Sequence, residues 1–487
     1  MLNAPSNTTS RMQGKARPAP EAGPRKTGIT VLFLAHGFPP FEHGGTYRSA
    51  AFARHLPEFD VVPAIVCGND PLGSPQTFAM ISNWRDDPRW AAVARFRWGL
   101  EDLHRGSPWR RRVATAVPLM SAAQRRVRRT AVIRRVLPAA RQMLQDSRAD
   151  VIYASSPPVE TFLIAEALAD ESGLPMVCDL RDPWSNSVAR RYPHYLDFCL
   201  ERGLERRVLS KAFKVVASTP SIGKWLAEDI GLEARRIAVI TNGFDEDDFQ
   251  NLPEVLPEYE GKFLIGYTGQ FYWSTIPRWS VKHRLAHMLG WDYTPMESGT
   301  SAGWPDIFLS AVERLLDGRP DLANVLRVLF VGPISPQLAK LADEFRYKQC
   351  LTLQPSVPQK HAVAICRRAD LLLMMDLDAR RGGKRIGAAM PGKLYNYLRT
   401  GQRILGVAQP GDAQQIIEQL NAGTVVGPDD IEGMILAITD EIDRWQQESP
   451  STGQAINPEV FQYERRALTQ RLAEILHAGT ASARAEA

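Results

Sequence analysis

The feature that most constrains this chain is an alternation of short apolar runs with helical stretches, sustained from Ile29 to Val426. Ile29-Thr-Val-Leu-Phe-Leu-Ala35, Asp150-Val-Ile-Tyr-Ala-Ser155, Pro175-Met-Val-Cys-Asp-Leu180 and Phe263-Leu-Ile-Gly-Tyr-Thr268 are too short for helices and apolar on both sides. That is how a parallel strand covered on both faces reads. Helical patterns between them, such as 160–172, 197–211, 306–317 and 392–399, supply the crossovers. The combination predicts an α/β protein made of doubly wound sheets.

A chain of 487 residues exceeds what one hydrophobic core usually organises, so two Rossmann-like units are expected. The boundaries fall at composition shifts. Residues 1–26, rich in Pro, Gly, Ser and Asn, read as a disordered tail; 27–245 form the first unit, 246–262 a Pro/Glu-rich linker, and 263–457 the second unit. The stretch 458–478 reads as a helix packing back on the first unit, and 479–487 as a frayed end. Residues 271–305 interrupt the second unit with Trp273, Trp279, Trp291 and Trp304, a long insertion that suits a lid, a substrate loop, a partner surface or an accessory helical excursion.

No run approaches about 18 uncharged apolar residues, and no apolar segment follows the first residues as a secretory signal would. The five cysteines have neither paired nor metal-ligand spacing, so reduced thiols, no metal site and a cytoplasmic location are expected. The net charge of +5 is unevenly spread: Arg85 to Arg148 holds 16 arginines and five acidic residues, with Trp84, Trp90, Trp98 and Trp109. Such a stretch suits an anionic membrane surface or a phosphorylated substrate, or is simply a set of solvated helices. No nucleic-acid motif accompanies the charge, and nucleic acid is not expected as a partner.

Ligands of open α/β sheets bind beyond the carboxyl ends of the strands. Four unusual segments are expected there. Gly44-Gly45, just ahead of a helix, lets a backbone approach a phosphate, with Arg48 one turn on. Thr268-Gly269-Gln270 holds the equivalent place in the second unit, followed by Arg278 and Lys282. Pro391-Gly-Lys393 opens a helix with a lysine at its positive end, a costly placement unless an anion compensates it, and Asn396 lies one turn further in. Ser155, Ser156, Arg181 and Asp182 occupy neighbouring strand tips of the first unit, where an acceptor would be recognised, although Asp182 could equally cap the turn at Pro183. The phosphate loop ending in Gly-Lys-Ser/Thr, the dinucleotide glycine pattern and the nucleophile-elbow pentapeptide are all missing.

Taken together, Phe38-Pro-Pro with Gly44-Gly45, Tyr153-Ala-Ser-Ser-Pro-Pro158, Asp179-Leu-Arg-Asp-Pro-Trp184, Thr241-Asn-Gly-Phe-Asp245, Phe330-Val-Gly332 and Pro391-Gly-Lys-Leu-Tyr-Asn-Tyr-Leu398 resemble the family 4 glycosyltransferases. These are retaining two-domain enzymes with the GT-B fold, and the likeness is greatest to the bacterial branch that builds surface polysaccharides or decorates small metabolites. The resemblance implies transfer of a sugar from a nucleotide-diphosphate sugar, with UDP or GDP as the favoured carrier. The acceptor would be the hydroxyl of a glycan, a lipid-linked substrate or a small molecule. It further implies that Gly44, Gly45, Gly269, Gln270, Gly332, Lys393, Leu394 and Asn396 hold the donor. Gly45, Lys393 and Arg278 would serve the reaction itself, and Arg48, Ser155, Ser156, Arg181 and Asp182 the acceptor. No cofactor or metal is implied, and the enzyme would work in the cytoplasm, at the inner face of the membrane if the arginines dock there. Asn396 stands where the family usually places a glutamate, and Ala388 where many members have another. The asparagine leaves a non-catalytic nucleotide-binding or scaffold subunit as one alternative; a related two-domain sugar enzyme, a nucleotide-sugar epimerase or a phosphorylase, is the other.

Overall fold

A computed structural model describes residues 28–39, 44–68, 92–96, 120–187, 190–271, 291–295, 297–298, 304–376, 379–381, 384–386, 390–447 and 456–486. In the first unit the chain runs β1 (Ile29–Ala35), α1 (Gly44–His55), β2 (Val61–Gly68), β3 (Ala92–Phe96), α2 (Met120–Ser147), β4 (Val151–Ser156), α3 (Glu160–Ser172) and β5 (Met176–Leu180). It continues through β6 (Tyr192–His194), α4 (Tyr195–Lys211), β7 (Lys214–Ala217), α5 (Pro220–Trp225) and β8 (Ile237–Val239). Seven of these strands form one parallel sheet in the order β3-β2-β1-β4-β5-β7-β8. Its order reverses between β1 and β4, so the loops leaving those strands diverge and open a crevice at their carboxyl ends.

The second unit repeats the plan with β9 (Phe263–Thr268), β10 (Trp291–Tyr293), β11 (Glu297–Ser298), α6 (Asp306–Gly318), β12 (Leu326–Val331), α7 (Pro336–Glu344), β13 (Leu351–Gln354), α8 (Gln359–Arg368) and β14 (Leu371–Met375). Then follow β15 (Ala379–Arg381), β16 (Lys384–Ile386), α9 (Lys393–Thr400), β17 (Arg403–Val407), α10 (Asp412–Gln419), β18 (Gly423–Val426) and α11 (Ile431–Gln447). Six strands form its parallel sheet, ordered β13-β12-β9-β14-β17-β18, with the reversal between β9 and β14. The two open α/β sheets, one per unit, are the expected doubly wound architecture. The apolar runs of the central strands bury side chains on both faces: Leu32, Leu34 and Ile152 pack on one side of the first sheet, Val31, Phe33 and Tyr153 on the other.

The C-terminal segment differs from the single helix ending near 478 read from sequence. Pro458–Tyr463 is a 3-10 turn, and the α-helix, α12 (Arg465–Glu486), begins only after it. The break has a cause: Phe244 N–H donates to the Tyr463 carbonyl and Arg465 N–H to the Phe244 carbonyl, so the chain extends to pair with the segment joining the units. The end that reads as frayed continues as helix because it has a seat. Thr480 is buried, Gly479 packs on the Phe213 ring, and Arg484 pairs with Asp150 at 3.0 Å. Leu468, Leu472 and Leu476 of α12 complete the core of the first unit.

Part of the arginine-rich stretch is also turned inward. Arg129 of α2 is buried, donating to both oxygens of Glu201 at 2.8 and 2.6 Å and to Glu160 at 3.1 Å. Arg125 pairs with Asp197 and Arg141 with Glu171, while Val132 and Val136 enter the core. Arg126, Arg134 and Arg148 are exposed; Trp84, Trp90, Trp98 and Trp109 lie outside the described residues. Among the described residues, no helix is long and apolar enough to cross a membrane.

Candidate active site

The crevices of the two sheets face one another across a cleft of about 860 Å³, lined by residues from both units. One wall begins at the N-terminus of α1. Gly45 is there because Arg181 is there: a Cβ on Gly45 would lie 1.4 Å from the Arg181 Nη1, so only glycine admits the guanidinium. Arg181 is fixed from behind, Nε donating to the Ser156 carbonyl at 3.2 Å and Nη2 to the Pro157 carbonyl at 2.6 Å. The turn carrying Arg181 and Asp182 is tied to α4, where Trp184 Nε1 donates to Glu201 and Ser185 N–H to Glu205 at 3.0 Å. Asp182 is exposed at the cleft edge, where partial desolvation raises its carboxyl above its ordinary range against the pull of Arg181.

Several residues expected to touch an acceptor or donor face the interior instead. Arg48 lies at the cleft floor, but its guanidinium is spoken for: Nε and Nη2 grip Asp179 at 3.1 and 2.8 Å, while Nη1 and Nη2 donate to the Thr241 and Ile240 carbonyls. Ser155 Oγ donates to Asp179 at 3.1 Å, as does the Tyr153 hydroxyl at 2.8 Å, and both serines are fully buried. A buried carboxylate must be paired, and Asp179 collects all these donors for that reason. Leu394 likewise packs into the core of the second unit and offers the cleft no side chain. The sequence carried a signal for this network, an aspartate inside an otherwise apolar strand.

The opposite wall is less committed. Gly269 and Gly332 have positive φ angles of 122° and 156°, and a Cβ on Gly332 would meet the Gly269 carbonyl oxygen at 2.1 Å. The two glycines therefore stack backbone on backbone at the ends of β9 and β12, and Gln270 follows at the cleft edge. Lys393 is the first residue of α9, and its Nζ stands 3.5 Å above the Tyr267 ring and next to Gly269. Burial, hardly relieved by its neighbours, pulls its pKa from 10.5 down to about 7. Asn396 also lines the cleft, with a buried side-chain carbonyl that accepts no hydrogen bond. Thr241 in the floor has its hydroxyl buried against that of Tyr395. Cys366, Asp376 and Arg465 join the lining without having been singled out from sequence. Arg465 arrives from the end of the chain, which local patterning does not reveal. Arg278 lies outside the described residues. Among the described residues, no group of three or more His, Cys, Asp or Glu is placed to hold a metal.

Two open α/β units with a cleft between their carboxyl edges define the GT-B architecture, and solved structures of that class superpose on nearly the whole chain. A glycosyltransferase from Rickettsia africae matches with a TM-score of 0.58 at 13% identity, covering 93% of this chain and 99% of that one. Sucrose-phosphate synthase from Thermosynechococcus elongatus gives 0.59 at 12% identity, covering 93% and 100%. The Anabaena protein Alr3699/HepE, solved with UDP and glucose, gives 0.54 at 14% identity, covering 92% and 100%. These likenesses establish the fold. Residues 43–243 match the family model of the glycosyl transferase 4-like domain. No curated protein matches it in sequence.

Proposed function

We infer that this protein is a retaining glycosyltransferase that moves a hexose from a UDP- or GDP-sugar to an acceptor hydroxyl in the assembly of a bacterial surface glycan or glycoconjugate. The observation that carries the reading is Lys393: a lysine at a helix N-terminus, half-buried in the cleft, its charge disfavoured by desolvation until an anion arrives. A diphosphate would supply that anion between Lys393, the amides of Gly269 and α9, and the N-terminus of α1 at Gly45. Asn396, with its free carbonyl, would accept from a ribose hydroxyl.

In the reaction, the bond from the anomeric carbon to the leaving phosphate breaks as the acceptor oxygen bonds to that carbon on the same face. The acceptor proton passes to the leaving phosphate oxygen. Lys393 and the helix N-termini stabilise the charge that develops there, while Arg181 and Asp182 would hold the acceptor on the opposite wall. The exposed Arg126, Arg134 and Arg148 support work at the inner face of the cytoplasmic membrane. The neighbours named above fit this reading, the Anabaena protein having been solved with UDP and glucose.

The test is calorimetric titration of nucleoside diphosphates and their sugars into the wild type and Lys393→Ala. Selective binding of one nucleotide, weakened at least tenfold in the variant, is expected. No binding by the wild type overturns the donor site and favours the scaffold alternative.

A further inference from the structure

The turn that carries Arg181 and Asp182 is held from beneath at two successive residues. Trp184 Nε1 donates to Glu201, and Ser185 N–H donates to Glu205 at 3.0 Å. Glu201 and Glu205 stand one helical turn apart on α4, and both are buried. A further tie comes from β6, where the Tyr192 hydroxyl donates to the Ser185 carbonyl at 3.0 Å. Both backbone polar groups of Ser185 are thus engaged by side chains, and the shape of the turn depends on them.

The two carboxyl groups are not alike. Glu201 receives Arg129 at 2.8 and 2.6 Å and Arg190 at 3.1 Å. Although burial works against its charge, Arg129 holds it below the ordinary carboxylate range. Among the described residues, no arginine, lysine or histidine forms an ion pair with Glu205. The charges packed around α4 are spent on one another. Arg125 and Arg129 of α2 pair with Asp197, Glu160 and Glu201, and Glu166 of α3 with Arg207 and Lys211. Asp229, in the helical turn Leu226–Ile230, pairs with Arg202. β6 and β10 bring the Tyr192 and Tyr293 rings and the buried His194 imidazole. In the turn itself, Arg181 is anchored on carbonyls and Asp182 is exposed. Of these groups, Glu201 repels an anion at Glu205, and Arg190, already committed to Glu201, attracts it least.

A fully buried carboxyl with no cation beside it keeps its proton, because the anion would lose its hydration with nothing to replace it. Burial pushes Glu205 up to about 8, against the hydrogen bonds from Ser185 and with the Glu201 carboxylate adding to the rise. When the turn opens, water reaches the carboxyl and it returns to its ordinary value of 4.5. Between those two values the closed turn keeps a proton that the open turn has released. The closed turn is therefore favoured most in acid, loses ground as pH rises to about 8, and changes no further above.

We propose that Glu205 is a positioning residue for the acceptor side of the cleft: its neutral carboxyl latches the turn that presents Arg181 and Asp182, while ionised Glu201 holds the residue before. The latch stands on buried groups and their hydrogen bonds. Only its link to the reaction rests on the glycosyltransferase reading.

The experiment compares the wild type with Glu205→Gln, a neutral side chain of the same shape, and with Glu205→Ala. Hydrogen–deuterium exchange of residues 181–187, corrected for the intrinsic pH dependence of exchange, reads the latch. Protection in the wild type should fall about tenfold or more from pH 5.5 to 8 and stay level in Glu205→Gln, with the amides of β5 unchanged in both. Glu205→Ala should leave the segment open at every pH. UDP affinity, by calorimetry, should be the same in all three proteins. Transfer to methyl glycosides from the nucleotide sugar that binds best, at pH 7, should drop about tenfold in Glu205→Ala and stay within about twofold in Glu205→Gln. Wild-type protection flat with pH, or Glu205→Gln as open as Glu205→Ala, overturns the latch. Full transfer by Glu205→Ala, or loss of UDP affinity along with transfer, makes the residue a structural group and overturns the positioning role. Should no nucleotide or nucleotide sugar bind, the glycosyltransferase reading falls, and the exchange profile still decides the latch. Should Glu205→Gln fail to fold, the wild-type profile decides it by itself.

Discussion

The two walls of the cleft are built on opposite principles. On the first unit's side, two arginines are paired or anchored within the protein: Arg48 with Asp179, and Arg181 with the carbonyls of Ser156 and Pro157. On the second unit's side, Lys393 rests on an aromatic ring and Asn396 has a buried acceptor with nothing donating to it. A saturated wall is rigid before any ligand arrives, which is what positioning an acceptor requires. An unsaturated wall holds free energy in reserve, because a ligand that satisfies its polar groups removes a desolvation cost already incurred. The difference assigns stability to one wall and affinity to the other, and substitutions should separate the two.

The largest effect should come from the saturated side. Asp179→Ala leaves the buried Arg48 guanidinium without its carboxylate, and a loss of about 3–5 kcal/mol in folding stability is expected from denaturant unfolding. A loss below about 1 kcal/mol would mean that the pair is not structural. Next, Gly45→Ala forces the Arg181 guanidinium aside, at a cost of about 1–3 kcal/mol for overpacking. Its melting temperature and its turnover should fall together, since one displacement disturbs both.

On the unsaturated side, Lys393→Ala should leave stability unchanged or raise it, most at pH 7 and below and least near pH 10.5. Its pH behaviour sharpens the contrast. With a folded pKa near 7 against 10.5, the free protein holds neutral Lys393 above pH 7, and binding a diphosphate restores the charge. Donor binding therefore takes up a proton between about pH 7 and 10, and affinity falls as pH rises through that range. Calorimetry in buffers of different ionisation enthalpy measures the uptake, and its absence from Lys393→Ala completes the test. The same lysine makes folding less favourable as pH falls from 10.5 toward 7, with no further change below, because only the unfolded chain binds the proton in that window. The smallest effect belongs to Asn396→Ala, where the lost hydrogen bond should weaken nucleotide binding by about 1 kcal/mol with the fold untouched.

Much of the saturated wall escaped sequence reading, for a physical reason. Arg48, Ser155 and Ser156 occupy the positions a ligand-binding residue would, and sequence does not tell whether a guanidinium faces an anion in the cleft or a carboxylate in the core. Asp179, 131 residues away from Arg48, decides it.

What the sequence determined by itself is the alternation of strands and helices, the two-sheet plan and the glycines and lysine at the strand ends. These follow from local patterning and from backbone positions that tolerate few side chains. Only the tertiary structure decided which charges are spent internally, where α12 seats, and that β10 of the second unit pairs with β6 of the first. Those outcomes depend on contacts between residues far apart in the chain, 131 positions from Arg48 to Asp179 and 334 from Asp150 to Arg484, which no local pattern encodes.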